Sequence, residues 1–254
     1  MDLNKLLQIS TFAGKIMIES GAETYRVEET ICRICTSFGV DEADSFVTPT
    51  GVMVSVTHKN QVLTLVKRVT SRGVDLNKID KINTLSRRTQ TNKMTLDDFN
   101  KELIKIAKGD RYSNFFTLIW SGISAGSFAI LFGGNYKDFF AATLIGLIIK
   151  IIFIKCENLN LNEFFINCLC GGVCALLTII LIKFNLNNNL DKTIIGSLML
   201  LVPGLTITNA IRDTIAGDFL AGITKISEAF LVAVSIAVGS GAVLSIFINK
   251  LGGI

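Results

Sequence analysis

The sequence predicts a membrane protein in which a small cytoplasmic α+β domain precedes an all-α bundle of about five transmembrane helices, the fourth interrupted at Pro203-Gly204. Charge is unevenly distributed: residues 1–114 contain 17 Lys and Arg and 14 Asp and Glu, whereas residues 115–254 contain 8 and 7. Charged residues make up about a quarter of a typical soluble domain, so the second part suits lipid better than water. We therefore expect a cytoplasmic domain over residues 1–112 and a transmembrane domain over residues 113–254.

Hydrophobic periodicity defines the elements of the first domain. A 3.6-residue period predicts one helix that ends near Ser20, and a second follows because Ser20 and Glu23 have the spacing of a capping box. Alternation with period two then predicts three short strands, namely 45–48, 52–56 and 62–66. We expect a turn at 58–61. Two helices at 75–89 and 95–109 complete the domain, and the second begins at Thr95, which forms a predicted capping box with Asp98.

Five apolar segments follow, and four of them approach the roughly 20 residues that cross the hydrocarbon core. These four are 115–132, 139–154, 164–182 and 229–248. The remaining segment, 193–202, is short and stops at Pro203-Gly204. A short apolar segment interrupted by Pro and Gly is typical of a discontinuous membrane helix.

Basic residues beside the spans predict the orientation of the chain, because such residues concentrate on the cytoplasmic side. Those that precede the first span are Lys101, Lys105, Lys108 and Arg111. The N-terminal domain is therefore predicted to be cytoplasmic, and Arg212 and Lys225, between the fourth and fifth spans, then also lie inside. An odd number of spans places the C-terminus outside.

Small residues at four-residue spacing predict close helix packing. Gly122 and Gly126 have this spacing in the first span, and Cys168 and Gly172 have it in the third. In the last span the small residues are Ala229, Ala233, Ala237 and Gly241. Two interpretations stay open: an ordinary tight bundle, or a second subunit docked on the last helix.

The segment 203–218 is the strongest candidate for a functional site, because polar groups follow a helix break within an apolar sequence. The candidate substrate-binding residues are Pro203, Gly204, Thr206, Asn209, Arg212, Asp213 and Asp218. A guanidinium matches a carboxylate, and an Asp at membrane depth is a candidate proton carrier. The alternative is an interfacial loop whose charges are solvated.

Enzyme, metal and nucleic-acid signatures are scarce. The sequence has neither a P-loop nor a G-x-S-x-G motif, and His58 is its one histidine. Six cysteines are not spaced as a metal set, so we expect free thiols and no cofactor. The net charge of +4 is mixed with acids, so no nucleic-acid partner is expected. A membrane-anchored hydrolase working through the N-terminal domain is the alternative from another class.

Three ordered motifs resemble the threonine/serine exporter family. They are the run from Gly21 to Thr30 (GAETYRVEET), the run from Thr48 to Gly51 (TPTG), and the run from Pro203 to Asp218. Within the first two, the family-motif residues without a derivable role are Glu23, Arg26, Glu28, Thr48, Pro49, Thr50 and Gly51.

The resemblance implies a secondary exporter of small amino acids in the plasma (inner) membrane, driven by the proton-motive force. Long members carry a second membrane half, and this chain is similar to the split form, in which a separate, smaller multi-span subunit supplies that half. Some split pairs are associated with succinate export. The implied substrate is therefore a small amino acid such as threonine or serine, or a dicarboxylate. A non-transporting regulatory subunit is a further alternative.

Overall fold

The computed structural model describes residues 2–91, 94–109, 112–159 and 161–251 of the chain. Arg111, used above for the orientation, lies outside the described residues. The elements, in chain order, are α1 Leu3–Glu19, α2 Thr24–Ser37, β1 Glu42–Thr48, β2 Gly51–His58, β3 Gln61–Arg68, α3 Leu76–Thr91, α4 Leu96–Lys108, α5 Asn114–Leu131, α6 Tyr136–Asn158, α7 Glu163–Lys183, α8 Leu190–Leu198, α9 Gly204–Ala216 and α10 Phe219–Leu251.

The chain forms two compact units. One contains Met1–Asp110 together with Gly204–Ser227, and the other contains Arg111–Pro203 together with Glu228–Ile254. The first unit therefore combines the N-terminal elements with α9 and the beginning of α10, a segment from the far end of the sequence.

The three predicted strands form an antiparallel sheet in the order β1-β2-β3. Val52, Val54 and Val56 of β2 are fully buried in a core shared with α1 and α2, as the alternation predicts. Lys59 and Asn60 join β2 to β3 with positive φ angles, the backbone of a tight hairpin. The predicted turn at 58–61 is therefore confirmed.

One predicted cap is confirmed and the other is wrong. Thr95 caps α4, where its Oγ1 accepts a hydrogen bond from the Asp98 backbone N–H at 3.2 Å. Ser20, by contrast, is the C-cap of α1, and Glu23 occupies the N-cap position of α2 without a side-chain capping bond. The Ser20–Glu23 capping box does not form, because Ser20 closes α1 and α2 begins only at Thr24.

The second unit contains closely packed helices. A Cβ added to Gly122 would lie 2.8 Å from the Leu147 side chain, and one added to Gly126 would lie 2.8 Å from the Phe139 carbonyl oxygen. The small residues of α5 therefore bring α6 close, as predicted. On α7, Cys168 meets α10 at Gly239, where an added Cβ would lie 1.9 Å from the Cys168 carbonyl oxygen.

In the part of the chain that the structure describes, four helices are long and apolar enough to cross a membrane: Asn114–Leu131, Tyr136–Asn158, Glu163–Lys183 and Phe219–Ile248. The predicted fourth span folds differently, since α8 has nine residues and α9 begins six positions after α8 ends. Neither helix is among these four, so a fifth, interrupted span stays a prediction. The last helix begins ten residues before the predicted 229, because Lys225 is neutralised by an acidic partner and does not end the helix.

Candidate functional site

The turn between α9 and α10 brings the polar residues of both helices together. Gly217 has φ of +97°, a left-handed conformation typical of a residue that ends a helix. Beyond it, Gly222 lies against α9, and a Cβ there would be 2.1 Å from Thr214 Oγ1. The two helices therefore approach closely, and Lys225 of α10 reaches Asp213 of α9.

Asp213 is fully buried and accepts three hydrogen bonds. Lys225 Nζ lies 2.6 Å from its Oδ2. The Thr24 backbone N–H donates to Oδ1 at 2.9 Å, and the Thr24 hydroxyl donates to Oδ2 at 3.1 Å. Since Thr24 is the first residue of α2, Asp213 provides an acceptor for one of the N–H groups that have no partner within the helix. It also places negative charge at the positive end of the helix dipole.

Glu23 lies between two arginines. Arg212 Nη1 donates to its Oε1 at 2.6 Å, and Arg26 Nε lies 3.2 Å from its Oε2. Burial opposes ionisation of Glu23, but hydrogen bonds from its own backbone and from Arg212, together with the charges of Arg26 and Arg212, outweigh burial and hold its pKa below the usual value. Glu23 is therefore an anion held by cations from both ends of the sequence.

Backbone carbonyls of the same α1–α2 turn accept further hydrogen bonds. Asn209 Nδ2 donates to the Gly21 carbonyl oxygen at 2.8 Å, and Lys225 Nζ donates to the Ala22 carbonyl oxygen at 3.3 Å. Gly21 has φ of +86°, a conformation that glycine adopts without strain. The turn is thus shaped to direct these carbonyls toward α9 and α10.

Glu28 and Asp218 are further carboxylates near this cluster. Glu28 Oε1 accepts a hydrogen bond from the Val47 N–H at 2.8 Å. Burial raises the pKa of Glu28, and the charges of Asp218 and Asp213 raise it further, against the bond from Val47. Burial and the charge of Asp213 also raise the pKa of Asp218, against the opposing effect of Lys225.

The remaining predicted residues are less closely linked to Asp213. Thr206 is half-buried on α9, one turn before Asn209. Gly204 is the first residue of that helix, and Pro203 directly precedes it. Thr48, Pro49, Thr50 and Gly51 form the β1–β2 turn, where Thr48 Oγ1 lies 3.4 Å from Thr50 Oγ1 and 3.4 Å from the Gly51 carbonyl oxygen.

Sequence reasoning missed the roles of Thr24 and Lys225. Lys225 served only to support the orientation, although a lysine within a long apolar helix is itself a signal that an acidic partner is nearby. Thr24 carried no signal of its own, because its two bonds to Asp213 span 189 positions of sequence.

A second fully buried aspartate, Asp138, belongs to the other unit. Its oxygens accept hydrogen bonds from the backbone N–H groups of Asn135, Asn188 and Asn189 and from the Asn189 side chain, at 2.7–3.0 Å, and a longer one from the Thr193 hydroxyl at 3.4 Å. Two oxygens that receive five donors have little capacity left for a ligand. Asp138 therefore joins the start of α6 to the loop before α8.

The described residues contain no group of three or more His, Cys, Asp or Glu side chains arranged to hold a metal ion. Cys32 and Cys35 form a C-x-x-C pair on α2, and Cys35 is the more deeply buried of the two. Burial raises the pKa of the Cys35 thiol to about 11. A thiol with that pKa is protonated at neutral pH and is a poor metal ligand.

These features define a helical membrane protein with an N-terminal α+β region, whose buried acid–base pair lies beside the start of its last membrane-span helix. Comparison with known families identifies it further. The family described as "Putative threonine/serine exporter" matches residues 8–247, so the chain belongs to the threonine/serine exporter family. The family is defined by transport and not by a catalysed reaction.

Curated relatives are distant but extend along the chain. The "Probable succinate transporter subunit YjjP" of Klebsiella aerogenes is 22% identical over 88% of this chain and 86% of its own length. The protein of the same name from Escherichia coli strain K12 is 21% identical over 92% of this chain and 91% of its own length. The "Probable threonine/serine exporter" of Mycobacterium tuberculosis is 19% identical over 92% of this chain but only 45% of its own length. No solved structure matches.

Proposed function

We propose that the chain is one subunit of a secondary exporter in the plasma membrane, driven by the proton-motive force, with the N-terminal domain in the cytoplasm. Its cargo is a small metabolite that carries a carboxylate. The observation that carries this proposal is the buried pair of Asp213 and Lys225, at 2.6 Å, in a chain of a transporter family.

The pair can act as a coupling device. Removing two charges from water is costly, and their attraction offsets that cost only while both are present and well oriented. Protonation of Asp213 would release Lys225, so proton binding and rearrangement of α10 would be coupled. The polar contacts of this pair join α2, α9 and α10, so a change in its charge would alter the contacts among all three helices.

Arg212 is the proposed contact for the substrate carboxylate. Its side chain is 54% exposed although Nη1 is bonded to Glu23, so part of the guanidinium fork is open to a solute. The names of the relatives support either a hydroxy amino acid or succinate as cargo, and both classes carry a carboxylate that suits a guanidinium.

A smaller multi-span partner subunit completes the proposal. Two relatives are named as transporter subunits. Ala233, Ala237 and Gly241 of α10 are exposed in this chain, whereas α10 meets α7 through Gly239. Small residues allow a second helix to approach closely in lipid. We therefore place the partner subunit against the face of α10 that carries Ala233, Ala237 and Gly241. An interrupted fifth span formed from α8 and the start of α9 is part of the same proposal.

The proposal is tested in inverted membrane vesicles that contain the chain, with and without the partner subunit. Accumulation of labelled L-threonine and of labelled succinate is measured before and after energisation with NADH, and an uncoupler is added as a control. We expect energised accumulation of one solute, which Asp213→Asn abolishes and which Asp191→Asn, a change at an exposed carboxylate of α8, retains. Accumulation that persists in Asp213→Asn would show that this carboxylate does not couple protons. Undiminished accumulation in Arg212→Ala would remove Arg212 from the site.

A further inference from the structure

The α1–α2 turn presents an unusual set of chemical groups to α9 and α10. Glu23 provides a carboxylate, Thr24 provides an N–H and a hydroxyl, and Gly21 and Ala22 provide carbonyl oxygens. Glu23 and Thr24 are 6% and 0% exposed. A carboxylate, an N–H donor and a hydroxyl are also the polar groups of a free hydroxy amino acid.

The carboxylate of Glu23 and the two donors of Thr24 bind the residues proposed above to contact the substrate or to couple protons. The Glu23 carboxylate binds Arg212, and the N–H and hydroxyl of Thr24 bind the two oxygens of Asp213. The set on α9 and α10 is therefore already satisfied by the protein itself. A solute can bind Arg212 and Asp213 together only after these contacts have been broken.

We propose that the segment Glu23-Thr24 is an internal ligand, which occupies the Arg212–Asp213 site and is displaced by a solute with a carboxylate beside amine and hydroxyl donors. This inference rests on the proposed export function. The incoming solute brings a carboxylate to Arg212 and hydrogen-bond donors to Asp213, so neither side chain is left without a partner when Glu23 and Thr24 leave. The exposed side of Arg212 is where an incoming carboxylate first binds.

The same geometry ranks the two candidate solutes. An amine or a hydroxyl donates to Asp213, as Thr24 does. The second carboxylate of a dicarboxylate is ionised and has no proton to donate, so it cannot replace the hydrogen bonds that Thr24 gives to Asp213. The internal ligand therefore favours an amino acid with a β-hydroxyl group over succinate.

Calorimetric binding to the purified full chain in lipid nanodiscs tests the proposal, with L-threonine and succinate as probes. Thr24→Val removes the hydroxyl and keeps the shape, and Glu23→Gln removes the charge held by Arg212. Because a hydrogen bond that competes with the solute is lost, each variant is expected to bind L-threonine about three- to tenfold more tightly than the wild type. Thr36→Val and Glu29→Gln, changes at exposed side chains of α2, are the matched controls and are expected to leave the affinity unchanged.

If Glu23 and Thr24 have only a structural role, their substitution should not tighten the binding of L-threonine. The internal ligand would be overturned if a Thr24→Val protein that still melts cooperatively bound L-threonine as weakly as the wild type or more weakly. It would also be overturned if the wild type and the variants bound neither probe. If the variants bind succinate more tightly but do not bind L-threonine more tightly, the proposed class of solute is wrong. If Glu23→Gln fails to fold, Thr24→Val alone decides.

The accumulation of labelled solute in inverted vesicles distinguishes a failure of this inference from a failure of the proposed function. Wild-type accumulation driven by the proton gradient, with no tightening in the variants, means that export stands and the internal ligand is wrong. Absence of energised accumulation by the wild type with its partner would instead overturn the exporter proposal, and with it the internal ligand.

Discussion

Asp213 and Lys225 form an ion pair in which Oδ2 and Nζ lie 2.6 Å apart, with 0% and 10% of the two side chains exposed. The residues are 12 positions apart, on helices that the turn at Gly217 folds against each other. The pair is therefore a local product of the α9–α10 turn, whereas the remaining contacts of Asp213 come from the N-terminal end of the chain.

Asp213→Asn should destabilise the protein strongly, because it leaves the Lys225 ammonium buried without its counter-charge. We expect the free energy of unfolding to fall by about 3–5 kcal/mol, measured by chemical unfolding of the purified protein in detergent. The double variant Asp213→Asn/Lys225→Met removes both charges and should recover most of this loss. A double variant no more stable than the single one would contradict this explanation.

Glu23→Gln should destabilise the protein at neutral pH but not in acid. The folded protein holds the pKa of Glu23 below its usual value of 4.5, so the ionised carboxylate stabilises the fold above that pH. This contribution is lost as the pH falls through the folded pKa. We expect a loss of about 1–2 kcal/mol at pH 7, toward the lower end because Arg212 is half-exposed.

The measurement for Glu23→Gln is a series of unfolding curves from pH 7 downward, with wild type and variant in the same detergent. The two stabilities should converge below pH 4.5. A difference that is constant over this range would show that the ionisation of Glu23 does not contribute to stability.

Glu28→Gln should have the opposite pH dependence. The pKa of Glu28 is raised above its usual value of 4.5, first by burial and then by Asp218 and Asp213. Its protonated form therefore stabilises the fold, fully below pH 4.5, and this stabilisation is lost as the pH rises through the folded pKa. Glutamine stays neutral, so the variant should gain stability relative to wild type as the pH rises.

Thermal unfolding across the pH range checks this expectation for Glu28→Gln, and Glu29→Gln, at an exposed carboxylate on the same helix, is the control. If the stability of Glu28→Gln relative to wild type falls with rising pH, burial does not favour the protonated form of Glu28.

Gly239→Ala should separate α7 from α10, since the added Cβ would lie 1.9 Å from the Cys168 carbonyl oxygen. We expect a loss of about 1–3 kcal/mol from overpacking. The matched control is Gly241→Ala on the same helix, where an added Cβ meets nothing within 4 Å. The control should be neutral or slightly stabilising, because alanine favours helix. Equal melting temperatures for the two variants would show that α7 and α10 do not approach closely at Gly239.

Local elements were well predicted from the sequence. The hairpin at Lys59 and Asn60 and the cap at Thr95 each depend on residues a few positions apart, so their signals are contained in short windows. The Ser20–Glu23 capping box was also a local prediction and was wrong. Its spacing was correct, but α1 continues to Glu19, so Ser20 closes that helix and α2 begins only at Thr24.

The sequence indicated residues from both ends of the candidate site, but not that they contact each other. Asn209, Arg212 and Asp213 were selected as candidates because polar groups are rare in an apolar stretch, whereas Glu23 entered only as a family-motif residue and as part of the capping box. That the two motifs meet was not predictable, because no local pattern reports a contact between residues 189 positions apart.

Amino-acid order by itself determined that this protein has a charged α+β region followed by membrane helices, since hydrophobic period and charge density act over ten to twenty residues. Tertiary structure alone decided that Asp213 stabilises the N-terminus of α2 and that Glu23 neutralises Arg212. The physical reason is that a buried charge must find a partner of opposite sign, and which partner it finds depends on how distant segments pack.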